Sequence, residues 1–82
     1  MAATRSDISQ WFDRGKKLGA THMLIACDTL DWEDYPIYVE SGEDVHKVIR
    51  QHTGKNMQTL MEVYNLSMDK DSQMSEHRSF NY

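Results

Sequence analysis

The chain has 82 residues, of which 39% are hydrophobic, and carries a formal net charge of −4 at pH 7. This length is typical of one domain and leaves no room for a second core. The acidic balance argues against binding to a DNA or RNA duplex, because proteins of that class carry a basic patch for the phosphates. The single cysteine excludes an intramolecular disulfide, and no Cys/His pair has the spacing of a zinc finger.

A domain of this size is only marginally stable alone, and small domains often compensate with disulfides, metals or self-association. With the first two disfavoured, we expect a homo-oligomer. The N-terminal segment lacks the apolar stretch of an export signal, and no segment approaches transmembrane length. We therefore expect no membrane association and, with a lone thiol, a reducing cytoplasm as the location.

The first predicted element is an amphipathic helix over residues 7–18, preceded by a flexible segment at 1–5. Ser6 is its predicted N-cap, Asp7 lies in the first turn where the helix dipole favours an acid, and Gly19 suits the position after the end. The residues that recur at helical spacing are Ile8, Trp11, Phe12, Gly15 and Leu18. The favoured role of this helix is to cover a sheet.

A β-hairpin is predicted next. The uninterrupted apolar run at 23–27 indicates a strand buried on both faces. Residues 36–40 alternate in strand-forming residues, and Pro36 suits the first position of a strand. The two strands are expected to pair antiparallel with their tip at residues 30–34.

A second helix follows the hairpin. Ser41 is its predicted N-cap, Asp44 lies three residues later as in a capping box, and Gly54 is expected to end the helix. His52 falls on the apolar stripe of this helix, where a half-buried packing role is more common than a ligand role.

The last third of the chain is predicted as two helices. Residues 57–68 fit helical spacing with Asn56 as cap, although residues 61–66 are open to a second interpretation as a third strand, because Val63 and Tyr64 favour strands. The tail is predicted to form a short polar helix, capped by Asp69 or Asp71 and reaching about residue 78, with a flexible end. Because this helix has little surface to bury, it is expected either to fray or to dock on another subunit. The predicted fold is a small single α+β domain in the order α-β-β-α-α-α.

Residues 28–38 combine carboxylates and aromatic side chains at unusual density. The spacing lacks the alternate ligands and central glycine of a calcium loop, so an acidic loop exposed to water is the simplest interpretation. Aromatic side chains within such a loop favour a binding role, because they grip rings and partner side chains. The residues concerned are Asp28, Asp31, Trp32, Glu33, Asp34, Tyr35 and Tyr38.

Catalytic chemistry is weakly supported. Cys27 precedes Asp28, and a neighbouring carboxylate raises the pKa of a thiol, which disfavours the nucleophilic thiolate. The histidines show none of the close spacings of a metal site, so no metal or other cofactor is predicted. An enzyme that uses Asp28 with Cys27 or His22 is the weakest hypothesis, and we expect a protein without enzymatic activity.

Three methionines of the predicted third helix (Met57, Met61 and Met68) share a face with Leu60 and Tyr64. Methionine-rich faces adapt to irregular neighbours, so this face suits either an oligomer interface or an ordinary core.

The stretch GATHMLIACDTLDWEDYPIYV, with GKNMQTLMEVYNL and SEHRSF after it, resembles a family of short uncharacterised proteins from bacteria and their phages. The resemblance rests on an ATHM-hydrophobic-CDT-x-D-x-EDYP-x-YV core and covers most of the chain from Ser6 onward. It implies no specific activity. It suggests a small accessory protein that blunts host defence, either by sequestering a nucleotide signal or by occluding a defence protein.

Two binding hypotheses follow. In the first, an oligomer captures a nucleotide-like ligand, with the acidic and aromatic residues Asp28, Asp31, Trp32, Asp34, Tyr35 and Tyr38 holding the base and ribose. The candidate phosphate contacts, expected from a neighbouring chain, are Arg14, Lys16, Lys17, Lys47 and Arg50. In the second, the acidic aromatic hairpin docks on a basic protein surface. The first predicts a concave site at the hairpin and the second a convex, exposed tip.

Overall fold

The computed structural model describes residues 3–52, 58–76 and 78–82. The strands form one antiparallel sheet in the order β2-β1-β3. This architecture confirms the predicted α+β class and the predicted hairpin. In chain order the elements are α1 (Arg5–Leu18), β1 (His22–Asp28), β2 (Glu33–Val39), α2 (Val45–His52), β3 (Gln58–Asn65) and α3 (Lys70–Met74).

Helix α1 begins earlier than the sequence predicted. Its N-cap is Thr4, whose hydroxyl accepts the Asp7 N–H at 3.1 Å while the Asp7 carboxylate accepts the Thr4 N–H at 3.1 Å. This reciprocal pair satisfies two backbone donors, so the predicted cap at Ser6 is wrong and residues 3–5 belong to the capped start of α1. Gly19 ends the helix with a φ of 77°, as predicted.

Strand β1 is the central strand, and its residues 23–27 are all buried, as predicted. The hairpin pairing extends to Asp28 opposite Glu33. β2 therefore begins at Glu33 rather than Pro36, and the connecting loop comprises residues 29–32 rather than the predicted 30–34.

Residues 58–65 form a third strand, so the helix predicted over 57–68 is wrong. The alternative strand predicted over 61–66 is confirmed, although it begins three residues earlier and ends one residue earlier. β3 pairs with β1, and the register shifts between Ile25 and Ala26, whose partners are Glu62 and Leu60. This irregularity leaves Met61 outside the pairing and breaks the alternation that identifies a strand in a sequence. The predicted cap Asn56 and Met57 lie outside the described residues.

Helices cover both faces of the sheet. On one face, Ile8 and Phe12 of α1 pack against Met23, Ile25 and Tyr64 of the sheet. On the other face, Val48 of α2 packs against Leu24, Val39 and Val63. The close approach of α1 depends on Gly15, because a Cβ there would lie 2.8 Å from the Tyr38 ring.

Helix α2 starts one turn later than predicted. The Asp44 carboxylate accepts the His46 N–H at 2.9 Å, and the Asp44 carbonyl accepts the Val48 N–H at 3.1 Å. Asp44 therefore satisfies donors of the first turn, and the predicted cap at Ser41 is wrong. The predicted end at Gly54 lies outside the described residues.

The tail packs on the sheet. Asp69 caps α3 as predicted, but the helix ends at Met74 rather than near residue 78. The buried Gln73 side chain makes two hydrogen bonds to the Asn65 backbone. Its amide oxygen accepts the Asn65 N–H at 2.8 Å, and its amide nitrogen donates to the Asn65 carbonyl at 2.9 Å. Beyond α3, the Val63 N–H donates to the Ser79 carbonyl and the Asn81 N–H donates to the Val63 carbonyl. The expectation that the tail buries little is therefore wrong.

Candidate functional site

The hairpin end carries an exposed apolar and acidic surface. The Asp28 carboxylate accepts the Leu30 N–H at 2.8 Å, and the Asp28 carbonyl accepts the Trp32 N–H at 2.6 Å. Trp32 has a φ of 57°, a left-handed conformation that is uncommon for residues other than glycine. The Leu30 and Trp32 side chains are each 66% exposed. We call residues 28–33 the tip surface.

Three predicted site residues on β2 do not join the tip surface. Asp34 accepts the Ala3 N–H at 3.0 Å, and the Tyr38 hydroxyl donates to the Trp11 carbonyl at 2.7 Å, so both contact the α1 segment. Tyr35 is opposite Ala26 in the sheet and lies on the face that α2 covers, opposite to Tyr38. Asp34 and Tyr38 therefore join the α1 segment to β2, and Tyr35 is half-buried on the other face of the sheet.

Cys27 is a buried thiol in surroundings that disfavour the thiolate. Its exposed fraction is 6%, and its thiol donates weakly to the Asp28 carbonyl at 3.7 Å. Burial raises the pKa of the Cys27 thiol, and the neighbouring carboxyl groups of Asp34 and Asp28 raise it further. The thiol form is poorly nucleophilic, so this arrangement supports a structural role.

The predicted phosphate-binding residues do not converge on the tip surface. The contact between Ala3 and Asp34 brings the start of α1 to the hairpin end, so Lys16 and Lys17 in its last turn lie toward the other end of the sheet. A strand as long as β1 separates those ends by roughly 20 Å. Arg14 is on the same helix, whereas Lys47 and Arg50 are on α2 at the opposite face.

Three surface hollows lie away from the tip surface. One is lined by residues between Gly42 and Gln51, including Lys47. A second lies beside Leu18 and Tyr38, and a third lies on α1 between Gln10 and Lys17. None of these three is lined by any of residues 28–33.

Within the described part of the chain, no three His, Cys, Asp or Glu side chains are grouped so as to hold a metal ion. Among the helices that the structure describes, none has the length and apolar character needed to cross a membrane.

Comparison of the chain with protein-family models, curated proteins and solved structures finds no match. The resemblance to a bacterial and phage family therefore stays a prediction.

Leu30 was not among the predicted binding residues. The sequence signal for Leu30 is its position two residues after an Asp, in a loop between two strands. The Asp side chain stabilises a turn of the backbone there, and the apolar side chain is left exposed to solvent.

Proposed function

We propose that the protein is a binding module without enzymatic activity, which docks its tip surface on a basic surface of another protein. The observation that carries this proposal is the exposure of Leu30 and Trp32, each 66%, on a loop with three carboxylates in the same six residues. Large apolar side chains held on such a loop gain stability only when another molecule covers them.

The chemistry of the loop suits a protein partner. The Asp28, Asp31 and Glu33 carboxylates attract Lys and Arg side chains over a distance and so raise the rate of encounter. Trp32 provides the large aromatic area that typically dominates the free energy of binding at protein interfaces. A basic surface with an apolar depression at its centre would match both features.

Capture of a nucleotide-like signal by a phage-type inhibitor, in the cytoplasm, stays a prediction. Such a ligand needs cations near the base-binding side chains, and the lysines of the α1 end lie roughly 20 Å from Trp32 within one chain, so a neighbouring chain would have to supply them. The acidic loop also repels phosphate. The protein-docking function therefore has the stronger support.

A library of short random peptides tests the proposal. Wild-type protein is expected to select peptides that combine Lys or Arg with apolar residues. For a selected peptide, Trp32→Asn should weaken binding about thirtyfold or more, the usual effect of losing an aromatic hot spot. Asparagine tolerates the left-handed backbone at this position, so the fold should be kept.

Two controls sharpen this experiment. Gln10→Ala, on the exposed face of α1, should leave the affinity for the peptide unchanged. Raising the salt concentration should weaken the wild-type complex, because the attraction between exposed charges is screened. Selection of acidic peptides, or equal binding by Trp32→Asn, would contradict the proposed function.

A further inference from the structure

The end of the molecule opposite the tip surface carries an apolar groove. The groove has a volume of about 430 Å³ and lies between the end of α1 and the end of β2. Leu18, Ala20 and Tyr38 provide its apolar lining, and the Leu18 side chain is 66% exposed. We call this hollow the α1-end groove.

The charges around the α1-end groove are opposite in sign to those of the tip surface. Lys16 and Lys17 occupy the helical turn that ends at the groove, and Arg14 lies close enough to Tyr38 to act on its hydroxyl electrostatically. Two acidic residues are also present, because Glu40 lines the groove and the Glu43 carboxylate accepts the Glu40 N–H at 2.9 Å. One end of the molecule is thus apolar and mainly basic, and the other end is apolar and acidic.

We propose that the α1-end groove receives the tip surface of a second copy of this chain, an inference that rests on the proposed docking function and names its partner. Leu30 and Trp32 of one copy would enter the groove beside Leu18, and Asp31 would face Lys17. Both surfaces are exposed in a single chain, and the length of the sheet keeps them apart, so one copy cannot cover its own groove.

This contact is head-to-tail, since two different surfaces meet. Every added copy presents a free tip surface and a free groove, so association continues until a ring closes or a filament grows. The arrangement therefore predicts assemblies that grow with concentration, and it differs from a two-fold dimer, in which the same surface meets itself.

Mixing two variants tests the contact directly. Trp32→Asn removes the aromatic side chain of the tip surface and leaves the α1-end groove unchanged. Leu18→Glu places a negative charge in the lining of the groove and leaves the tip surface unchanged. Sedimentation velocity is expected to find wild-type assemblies, monomers for each variant alone, and a one-to-one complex when the variants are mixed. Each single change is expected to weaken association about thirtyfold or more. Circular dichroism of both variants checks that they are folded.

Charge variants provide a second, independent measurement. Lys17→Glu should weaken wild-type self-association, and Glu40→Gln should strengthen it, because the first removes an attraction to Asp31 and the second removes a repulsion. Both effects should shrink at high salt. Gln10→Ala should leave self-association unchanged.

The outcomes separate this inference from the proposed function. A wild-type protein that stays monomeric while still binding the selected basic peptides overturns the head-to-tail contact alone. Failure of both self-association and peptide binding overturns both proposals. Assembly that persists in Trp32→Asn, or folded variants that do not pair on mixing, also overturns the head-to-tail contact.

Discussion

His22, at the start of β1, is a titratable side chain that is partly buried. Its Nδ1 atom lies 3.0 Å from the Thr21 hydroxyl, and its Nε2 atom is buried without a hydrogen-bond partner among the described residues. Burial lowers the pKa of His22 and nearby His46 lowers it further, whereas the Tyr82 backbone acts in the opposite direction and is outweighed. The neutral ring is therefore the form that the fold favours.

This lowered pKa predicts a loss of stability in mild acid. Because the unfolded chain binds the His22 proton more tightly, the stabilisation is present above about pH 6.5 and is lost as the pH falls below that value. Urea unfolding over that pH range should show a weaker pH dependence for His22→Gln than for wild type. Gln10→Ala, on the exposed face of α1, is the control and should keep the dependence. A His22 NMR titration midpoint at or above 6.5 would contradict the prediction.

Glu62 illustrates what the sequence could not reveal about individual residues. Glu62 is only 8% exposed. Its carboxylate accepts hydrogen bonds from the Tyr64 hydroxyl at 2.9 Å and from the Ser79 N–H at 3.2 Å, and it forms a salt bridge with the Arg5 guanidinium at 3.7 Å. Burial and the Glu62 charge together raise the pKa of Tyr64. A glutamate in an apolar stretch suggests a solvent-facing position, and two of these partners come from the far ends of the chain, so no local pattern predicted its burial.

At the scale of elements, β1 carries the core. Ile25 is 1% exposed, and it packs with Phe12 and Tyr64 beneath α1. Ile25→Ala should therefore lower the free energy of unfolding by roughly 2–5 kcal/mol, the usual cost of emptying a core site. Ile37→Ala, at a half-buried position on β2, should cost less. A urea midpoint unchanged by Ile25→Ala would show that this residue is not part of the core.

The sequence predicted the first hairpin and α1 well because their patterns are local. The signals used for them were the apolar run at 23–27, the alternation from Pro36 and the helix end at Gly19, each of which acts within a few residues. β3 was predicted only as an alternative to a helix, because its buried residues 62–64 are consecutive and the register shift removes the period of two from its apolar residues. Its identity as a strand depends on pairing with β1, which is distant in the sequence.

The candidate site was predicted in part for the same reason. The exposed position of Trp32 follows from the loop itself, whereas the roles of Asp34 and Tyr38 depend on where α1 packs. Their contacts with Ala3 and Trp11 join residues 27 or more positions apart. Composition alone grouped all the acidic and aromatic residues together, although the alternation of a strand sends Tyr35 and Tyr38 to opposite faces.

At the scale of the whole molecule, a sheet of three strands has two edges, and this protein protects them differently. The outer edge of β3 is bonded by the tail, through Val63 with Ser79 and Asn81. The outer edge of β2 has no strand beside it in the described structure, and Pro36 lies in the middle of that strand. Proline cannot donate a backbone hydrogen bond, so it discourages another strand from pairing there.

Removing this protection should convert the open edge into a site of association. Pro36→Val supplies a backbone N–H and a strand-favouring side chain, so β2 should pair with strands of other molecules and form large aggregates. The change belongs in a Trp32→Asn background, in which docking through the tip surface is already removed. Static light scattering over time should rise for the double variant and stay flat for Trp32→Asn alone.

Thr59→Val in the same background is the matched control, because it raises strand propensity on β3 without adding a donor. Equal scattering from the Pro36→Val and Thr59→Val proteins would mean that Pro36 does not protect the edge.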